Sequence, residues 1–301
     1  STKAHPGIGI VCDSQGNIFF TDLSQVWKIA PDGSRKVAVP NVHTHEICLD
    51  AEGNLYGEHL WYEGEATDKW GHYVWRLTAA GQVEIVKDST EGFLTDYSFV
   101  RDPAGNLFWV ERGDTCRFQK SSLAEGGRIE TFAAGIFKDV RWQFYLPKSG
   151  FHFLDEDNLY QIQDGKFILT AKDLRTGNLS LAAVTDDSHS VFGVWEDAEG
   201  NLFAAVTADD AIKKIAPDGT VSVIFKSKTG WSPTGGVFDL QGNLWVLENS
   251  KTNQVRVEKV NPADLKSQVR KGKPMPLLPV AALSIVMLAV LLWVRRRLRK
   301  R

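Results

Sequence analysis

The chain is poor in cysteine, has no basic stripe over most of its length and contains no polar low-complexity tract, and each lack removes a class of protein. Cys12, Cys48 and Cys116 are an odd number without any zinc-binding spacing. Cys12 and Cys48 fall in strand-like runs, so the three read as small buried hydrophobes and leave the redox compartment open. Of 35 Lys and Arg, nine lie between Arg270 and Arg301 with no acid among them, which leaves 26 bases against 37 acids, a net charge of −11, in the preceding residues. An acidic body without basic clusters argues against nucleic acid as a partner, because phosphate binding draws its affinity from Lys and Arg. With 43% hydrophobic residues, ten Trp and sixteen Phe, the chain has ample material for a packed core and is not a disordered one.

What the chain does have is a repeat. Asp, two residues, Gly-Asn, an aliphatic residue and an aromatic occur as DSQGNIF from Asp13, DAEGNLY from Asp50, DPAGNLF from Asp102, DAEGNLF from Asp197 and DLQGNLW from Asp239, with a degraded PKSGFHF from Pro147. Successive starts lie 37, 52, 45, 50 and 42 residues apart, a spacing suited to units of four short strands. A β-rich run ends at each Asp, as in GIGIVC from Gly7 and HEICL from His45. The D-x-x-G-N segment turns the chain and a second strand follows. Third strands read VWKIAPDG from Val26, YVWRLTAAG from Tyr73, CRFQKSS from Cys116, LYQIQDG from Leu159, IKKIAPDG from Ile212 and VRVEKVNP from Val255, and runs such as KVAVP and TVSVIF supply fourth strands. Six four-stranded sheets, none able to bury both faces alone, pack radially, so the fold class is all-β, a six-bladed β-propeller over residues 1–262. Its closure is open at this point: either Leu265 to Val269 is the outer strand of the sixth blade or residues upstream of Ser1 supply it.

Leu277 to Val294 form an apolar run of 18 residues, which as a helix covers roughly 27 Å of bilayer. The expectation is a C-terminal transmembrane helix over 277–294, preceded by a basic linker (263–276) and followed by a basic tail (295–301). RRRLRKR behind the run outweighs Arg270, Lys271 and Lys273 in front of it, so the positive-inside rule puts the tail in the cytoplasm and the propeller outside, in periplasm or extracellular space. That topology needs an export signal, and since the sequence starts at Ser1 without one, the signal is expected to have been cleaved or left out.

The D-x-x-G-N core followed by K-I-x-P-D-G resembles the NHL-repeat and gluconolactonase-like six-bladed propellers over about residues 5–260. The resemblance implies architecture more than activity, since these propellers include enzymes, ligand binders and scaffolds. In the lactonases of that family, the channel position five residues before the turn Asp carries Glu, Asn, Asn and Asp in four blades, which together hold a divalent cation. Here those positions read Ile8, His45, Tyr97, Trp142, Phe192 and Thr234, so no calcium cage of that type is expected, the channel is expected to be narrow or plugged, no metal ligand is named and any cofactor is unknown. HEICLDAEGNLY from His45 is similar to the streptogramin-lyase stretch in which a His and the Glu ending the next strand form an acid-base pair. In this chain His59 takes the place of that Glu, with Glu58 beside it, while Glu111 and Glu248 keep Glu at the ends of their own strands.

Strand direction sorts the loops onto two faces, with the D-x-x-G-N turns on one. The other, around the channel mouth, is assigned His5, His43, His45, His59, His72 and His189, together with Asp22, Glu46, Glu58, Asp96, Glu111, Arg112, Asp114, Glu248 and Asn249. A long loop from His59 to His72 adds Trp61, Tyr62 and Trp70. Function is expected on this face. The preferred reading is binding of a small-molecule ligand or protein partner through His5, His43, Trp61, Trp70, His72, Asp96, Glu111, Arg112, His189 and Glu248. The alternative is a metal-assisted or acid-base lyase or hydrolase using His45, His59 and Glu58. The topology is checked by adding protease to intact cells or spheroplasts: the propeller is expected to be digested, and a protected propeller contradicts it.

Overall fold

The computed structural model describes residues 7–92, 98–176, 190–250 and 252–265. Six antiparallel sheets follow one another along the chain. Blade 1 is β1 (Ile10–Cys12), β2 (Ile18–Thr21), β3 (Val26–Ile29) and β4 (Arg35–Val39), and blade 2 is β5 (Ile47–Leu49), β6 (Leu55–Tyr62), β7 (Trp70–Leu77) and β8 (Val83–Glu91). Blade 3 contains β9 (Leu107–Glu111), β10 (Cys116–Ser122) and β11 (Arg128–Gly135), its innermost strand reduced to one bridge between Arg101 and Leu107. Blade 4 is β12 (Val140–Leu146), β13 (Gly150–Asp155), β14 (Asn158–Gln163) and β15 (Lys166–Ala171), and blade 5 is β16 (Val194–Glu196), β17 (Leu202–Val206), β18 (Ala211–Ile215) and β19 (Val221–Lys226). Blade 6 has three strands among the described residues, β20 (Trp231–Phe238), β21 (Leu244–Ser250) and β22 (Val255–Val260).

The all-β six-bladed propeller read from the repeat is therefore the fold, with two departures. Among the described residues, blades 3 and 6 show three strands in place of four. After β22 the chain makes a helical turn that includes Leu265, so the strand proposed from that residue does not start there; residues 266–269 lie outside the described part. Among the described residues no helix is long and apolar enough to cross a membrane, and 277–294 also lies outside them.

The repeat has a simple physical basis. In five turns Oδ1 of the Asp accepts the backbone N–H of the Asn four residues on at 2.8 or 2.9 Å, and Oδ2 accepts that Asn side chain at 2.7 or 2.8 Å. The intervening Gly sits at φ between 76° and 82°, where a Cβ is disfavoured. The degraded fourth copy has no Asp, and a carboxylate from the next blade replaces it: Glu196 accepts Lys148 N–H at 2.5 Å and Ser149 Oγ at 2.8 Å.

Hydrophobic clusters join neighbouring blades. Phe19, Val26 and Val39 of blade 1 pack with Leu55 and Trp75 of blade 2, while Phe108 and Phe118 of blade 3 pack with Phe151 and Phe153 of blade 4. Leu154 and Leu159 meet Leu202 and Ile215 between blades 4 and 5, and Trp195 and Phe203 meet Leu244 and Val246 between blades 5 and 6. The ring closes where Ile10, Ile18 and Phe20 pack on Leu247, with Thr234 Oγ1 donating to Gly7 O at 2.8 Å. Among the described residues no such cluster joins blades 2 and 3; there Arg101 stacks on Tyr56, 4.3 Å from its ring centroid.

Asp239 is the most heavily bonded turn carboxylate, adding Trp245 Nε1 at 2.9 Å to the bonds from Gln241 and Asn243. Burial alone pushes its carboxyl up, but these hydrogen bonds outweigh it and hold the group below the ordinary carboxylate range. Its stabilisation is thus present above that range and is lost as pH falls through the depressed value. In urea unfolding at neutral pH, Asp239→Ala is expected to cost about 2–4 kcal/mol and Asp13→Ala, which has no indole donor to lose, less; the reverse order contradicts this account.

Candidate functional site

The site begins with Gly57. On β6 it stands where the other copies carry Phe20, Trp109, Ala204 and Val246, and a Cβ there would lie 2.1 Å from Cζ2 of Trp75. The indole lies across the bare glycine, and its Nε1 donates to Glu58 O at 2.9 Å and to Thr44 Oγ1 at 3.2 Å. Thr44 in turn donates its hydroxyl to Glu58 O, and its own carbonyl accepts Thr21 Oγ1 of blade 1 at 2.7 Å. The Glu58 backbone is thereby fixed from two blades.

The Glu58 side chain is largely buried between two imidazoles. Oε1 is 3.4 Å from His45 Nδ1 and Oε2 is 3.5 Å from His72 Nε2, both ion-pair distances. His72 is oriented by Nδ1 lying 2.9 Å from Gly92 O and by Trp70, whose ring meets it edge-on at 5.6 Å. A carbonyl can only accept, so the Nδ1 facing Gly92 O is the donor, and the ring turns its Nε2 toward Glu58. On the other side His45 Nε2 is 3.3 Å from His43 Nε2, which extends the row of titratable groups to the rim. Desolvation, then the neighbouring His45 and His59, push His43 down to about 4 against the opposing pull of Glu58, so it is neutral at physiological pH.

His59 is not part of this row. Successive residues of a strand face opposite ways, and His59 stacks on Tyr73, its cross-strand partner, at 4.7 Å while Nδ1 accepts His43 N–H at 3.1 Å. Burial, more than the neighbouring charges, holds its pKa below the ordinary value. The proposed pairing of His45 with His59 is therefore corrected: His45 faces Glu58, and the second imidazole on that carboxylate is His72.

Two cavities meet at this place. A bore of about 640 Å³ is lined by the innermost strands and includes Ile8, Cys12, Cys48, Arg101 and Trp195. A smaller cleft of about 250 Å³ at the mouth is lined by Glu46, Glu58, His72, Ser98, Arg112, Arg141, Trp142 and Gln143, among others. Glu46, Phe99, Val100 and Gln143 line both and form the partition between them. The channel is thus divided into a bore and a mouth cleft. Cys12 and Cys48 are half-buried in its wall, and burial raises both thiols to about 11, while Cys116 is a buried core residue.

The remaining expected site residues are scattered. Glu46 belongs to the partition, where desolvation, then Glu58, push its carboxyl up to about 8. Arg112 lies on the cleft rim and donates to the carbonyls of Val140 and Arg141. Trp61 and Trp70 sit on β6 and β7, because those strands extend through half of the supposed loop and leave residues 63–69 as its turn. Glu111 is exposed. Glu248 is not a rim group: it is wholly buried and accepts Arg256 Nε at 2.6 Å, since its alternation along β21 turns it toward the blade 5 side with Leu244 and Val246. His5, Asp96, Tyr97 and His189 lie outside the described residues. Ser98, Arg141 and Gln143 were not anticipated; Arg141 and Gln143 precede the degraded fourth copy of the repeat. Glu58 had a signal, since it stands in register with Thr21, Val110, Ala205 and Leu247, all buried and none ionisable.

The positions that hold a cation in lactonases do not fit one here. Ile8 lines the bore, His45 faces Glu58, Trp142 packs on Phe192 at 5.6 Å and Thr234 Oγ1 is bonded to Gly7 O. Among the described residues no group of three His, Cys, Asp or Glu has a metal-holding arrangement.

No family model matches the chain, and no curated protein matches it. Solved structures do. A putative gluconolactonase aligns with a TM-score of 0.52 at 15% identity, covering 86% of this chain and 92% of its own. A gluconolactonase from Xanthomonas campestris gives 0.52 at 12% identity over 85% and 86%. A virginiamycin B lyase from Staphylococcus aureus is looser, 0.46 at 13% identity over 88% and 87%. The structural neighbours thus include gluconolactonase-like and streptogramin-lyase propellers, and likeness at this identity shows the fold alone.

Glu46 makes a test of the site's electrostatics. Its folded pKa is raised from about 4.5 to about 8, so the folded state binds more proton between those values and loses stability as pH rises through them. Glu46→Gln removes that loss. Melting curves of the two proteins from pH 5 to 9 are expected to show the variant gaining on the native chain up to about pH 8 and then holding its lead; parallel curves contradict a desolvated, proton-holding Glu46.

Proposed function

We propose that this propeller binds a small polar molecule in the mouth cleft, with Glu58 as the group that receives it. The observation that carries the reading is the placement of Glu58 between His45 and His72 on the wall of a cleft that also contains Glu46 and Arg112. A largely buried carboxylate is costly, and an arrangement that keeps it within reach of a cavity is suited to hydrogen-bonding a ligand. The apolar run at 277–294 supports membrane anchoring of this binding module, with the propeller extracytoplasmic.

A second reading, an acid-base lyase or hydrolase, has its own support. Glu46 and Glu58 line one cleft, and burial makes Glu46 a proton-holding acid at neutral pH. Two carboxyls in different protonation states are the usual equipment for general acid and general base steps. On this reading Glu58 with His72 takes the proton and Glu46 returns it, in place of the His45 and His59 pair suggested by sequence. The propeller fold is shared with lactonases, which is compatible with this chemistry.

Screening small polar metabolites by thermal shift, followed by calorimetry on the hits, tests the first reading. Hits are expected to lose about 10-fold or more in affinity with Glu58→Gln and to be unaffected by Glu111→Gln on the exposed rim. Hits indifferent to Glu58→Gln contradict it, and turnover of a hit that vanishes in Glu46→Gln establishes the second.

A further inference from the structure

We propose that the mouth cleft selects a small carboxylate that also carries a hydroxyl or ammonium group a few atoms away. This rests on the reading of the Glu58 cleft as a ligand site and assigns the chemistry of the ligand. The cleft is split by charge: Glu46, Glu58 and His72 form the blade 2 wall, and Arg112 and Arg141 stand on the wall of blades 3 and 4. The two cations are not equivalent. Arg141 Nε donates to Asp139 Oδ2 at 2.7 Å, a pairing that offsets its charge.

Arg112 donates from Nε to Val140 O at 2.8 Å and from Nη2 to Arg141 O at 3.0 Å. Those acceptors are neutral, so they fix the guanidinium plane without offsetting its charge. They occupy the edge formed by Nε and Nη2, which leaves the end edge, Nη1 with the second Nη2 hydrogen, as a preset fork. Among the described residues no carboxylate lies within ion-pair distance of Arg112. A guanidinium fork of that kind matches a carboxylate in two parallel hydrogen bonds.

The opposite wall sets the rest of the ligand. Glu58 offers lone pairs to a donor, which a hydroxyl or an ammonium satisfies and a plain alkyl chain does not. The Glu58 carboxylate repels a dianion, which disfavours a phosphate monoester even though it would suit Arg112. A volume near 250 Å³ limits the occupant to a small molecule.

The test uses 3-hydroxybutyrate, its primary amide and butyrate as probes, with affinities from calorimetry or ligand-observed NMR on the full chain. Native protein is expected to bind the hydroxy acid about 10-fold or more tightly than the amide, and also more tightly than butyrate. Arg112→Gln is expected to bring the acid down to the level of the amide, and Arg112→Lys, which keeps the charge and loses the fork, to restore only part of the difference. Glu58→Gln is expected to weaken hydroxy acid and amide alike. Equal affinity of acid and amide for the native protein, or a preference that survives Arg112→Gln, overturns the carboxylate assignment and leaves the Glu58 reading standing. Absence of binding by every probe, or binding indifferent to Glu58→Gln, overturns both.

Discussion

The joint between blades 2 and 3 is the constraint on which the site depends. A propeller is held by apolar packing from blade to blade, and every other joint here contains a cluster of buried aliphatic and aromatic side chains. At this one, among the described residues, the inner strand of blade 3 shows only the Arg101 and Leu107 bridge, and Arg101 stacks on Tyr56. A third cavity of about 400 Å³ opens beside that stack, and the mouth cleft opens above Ser98 and Val100. The apolar joints make the ring rigid enough to tolerate one polar joint, and the polar joint gives the ligand room.

Glu58 would be expensive to keep in that setting without its neighbours. Isolated burial of a carboxylate costs several kcal/mol, and the protein offsets the cost with two imidazoles, each oriented by a further partner. Positioning comes from ordinary core packing: Gly57 makes space for Trp75, and Trp75 with Thr44 fixes the Glu58 carbonyl. Substitutions at Gly57 or Trp75 would therefore act on the site through its backbone.

The fold was legible because the D-x-x-G-N turn is a local device. Asp and Asn four residues apart close it, Gly supplies its positive φ, and five copies repeat the geometry almost unchanged. The site was legible only in part. Glu58 and His45 were singled out through a resemblance, and an ionisable residue in register with Thr21, Val110, Ala205 and Leu247 marked Glu58 independently. The resemblance points to His59, which takes the place of the lyase Glu, whereas His72 reaches Glu58 only through the pairing of β6 with β7. Arg112 could be placed on the rim, but the carbonyls that orient it lie 28 and 29 residues away in another blade. Contacts of that range follow from tertiary packing, which the repeat pattern does not encode.

The central claim is that His72 donates its Nδ1–H to Gly92 and thereby turns Nε2 toward Glu58. Long-range 1H–15N NMR of the histidine rings tests it directly. The account predicts a protonated His72 Nδ1, and a His72 Nε2 resonance that shifts when Glu58 is replaced by Gln. A His72 ring protonated only at Nε2, or one whose nitrogen shifts ignore Glu58→Gln, would contradict the account.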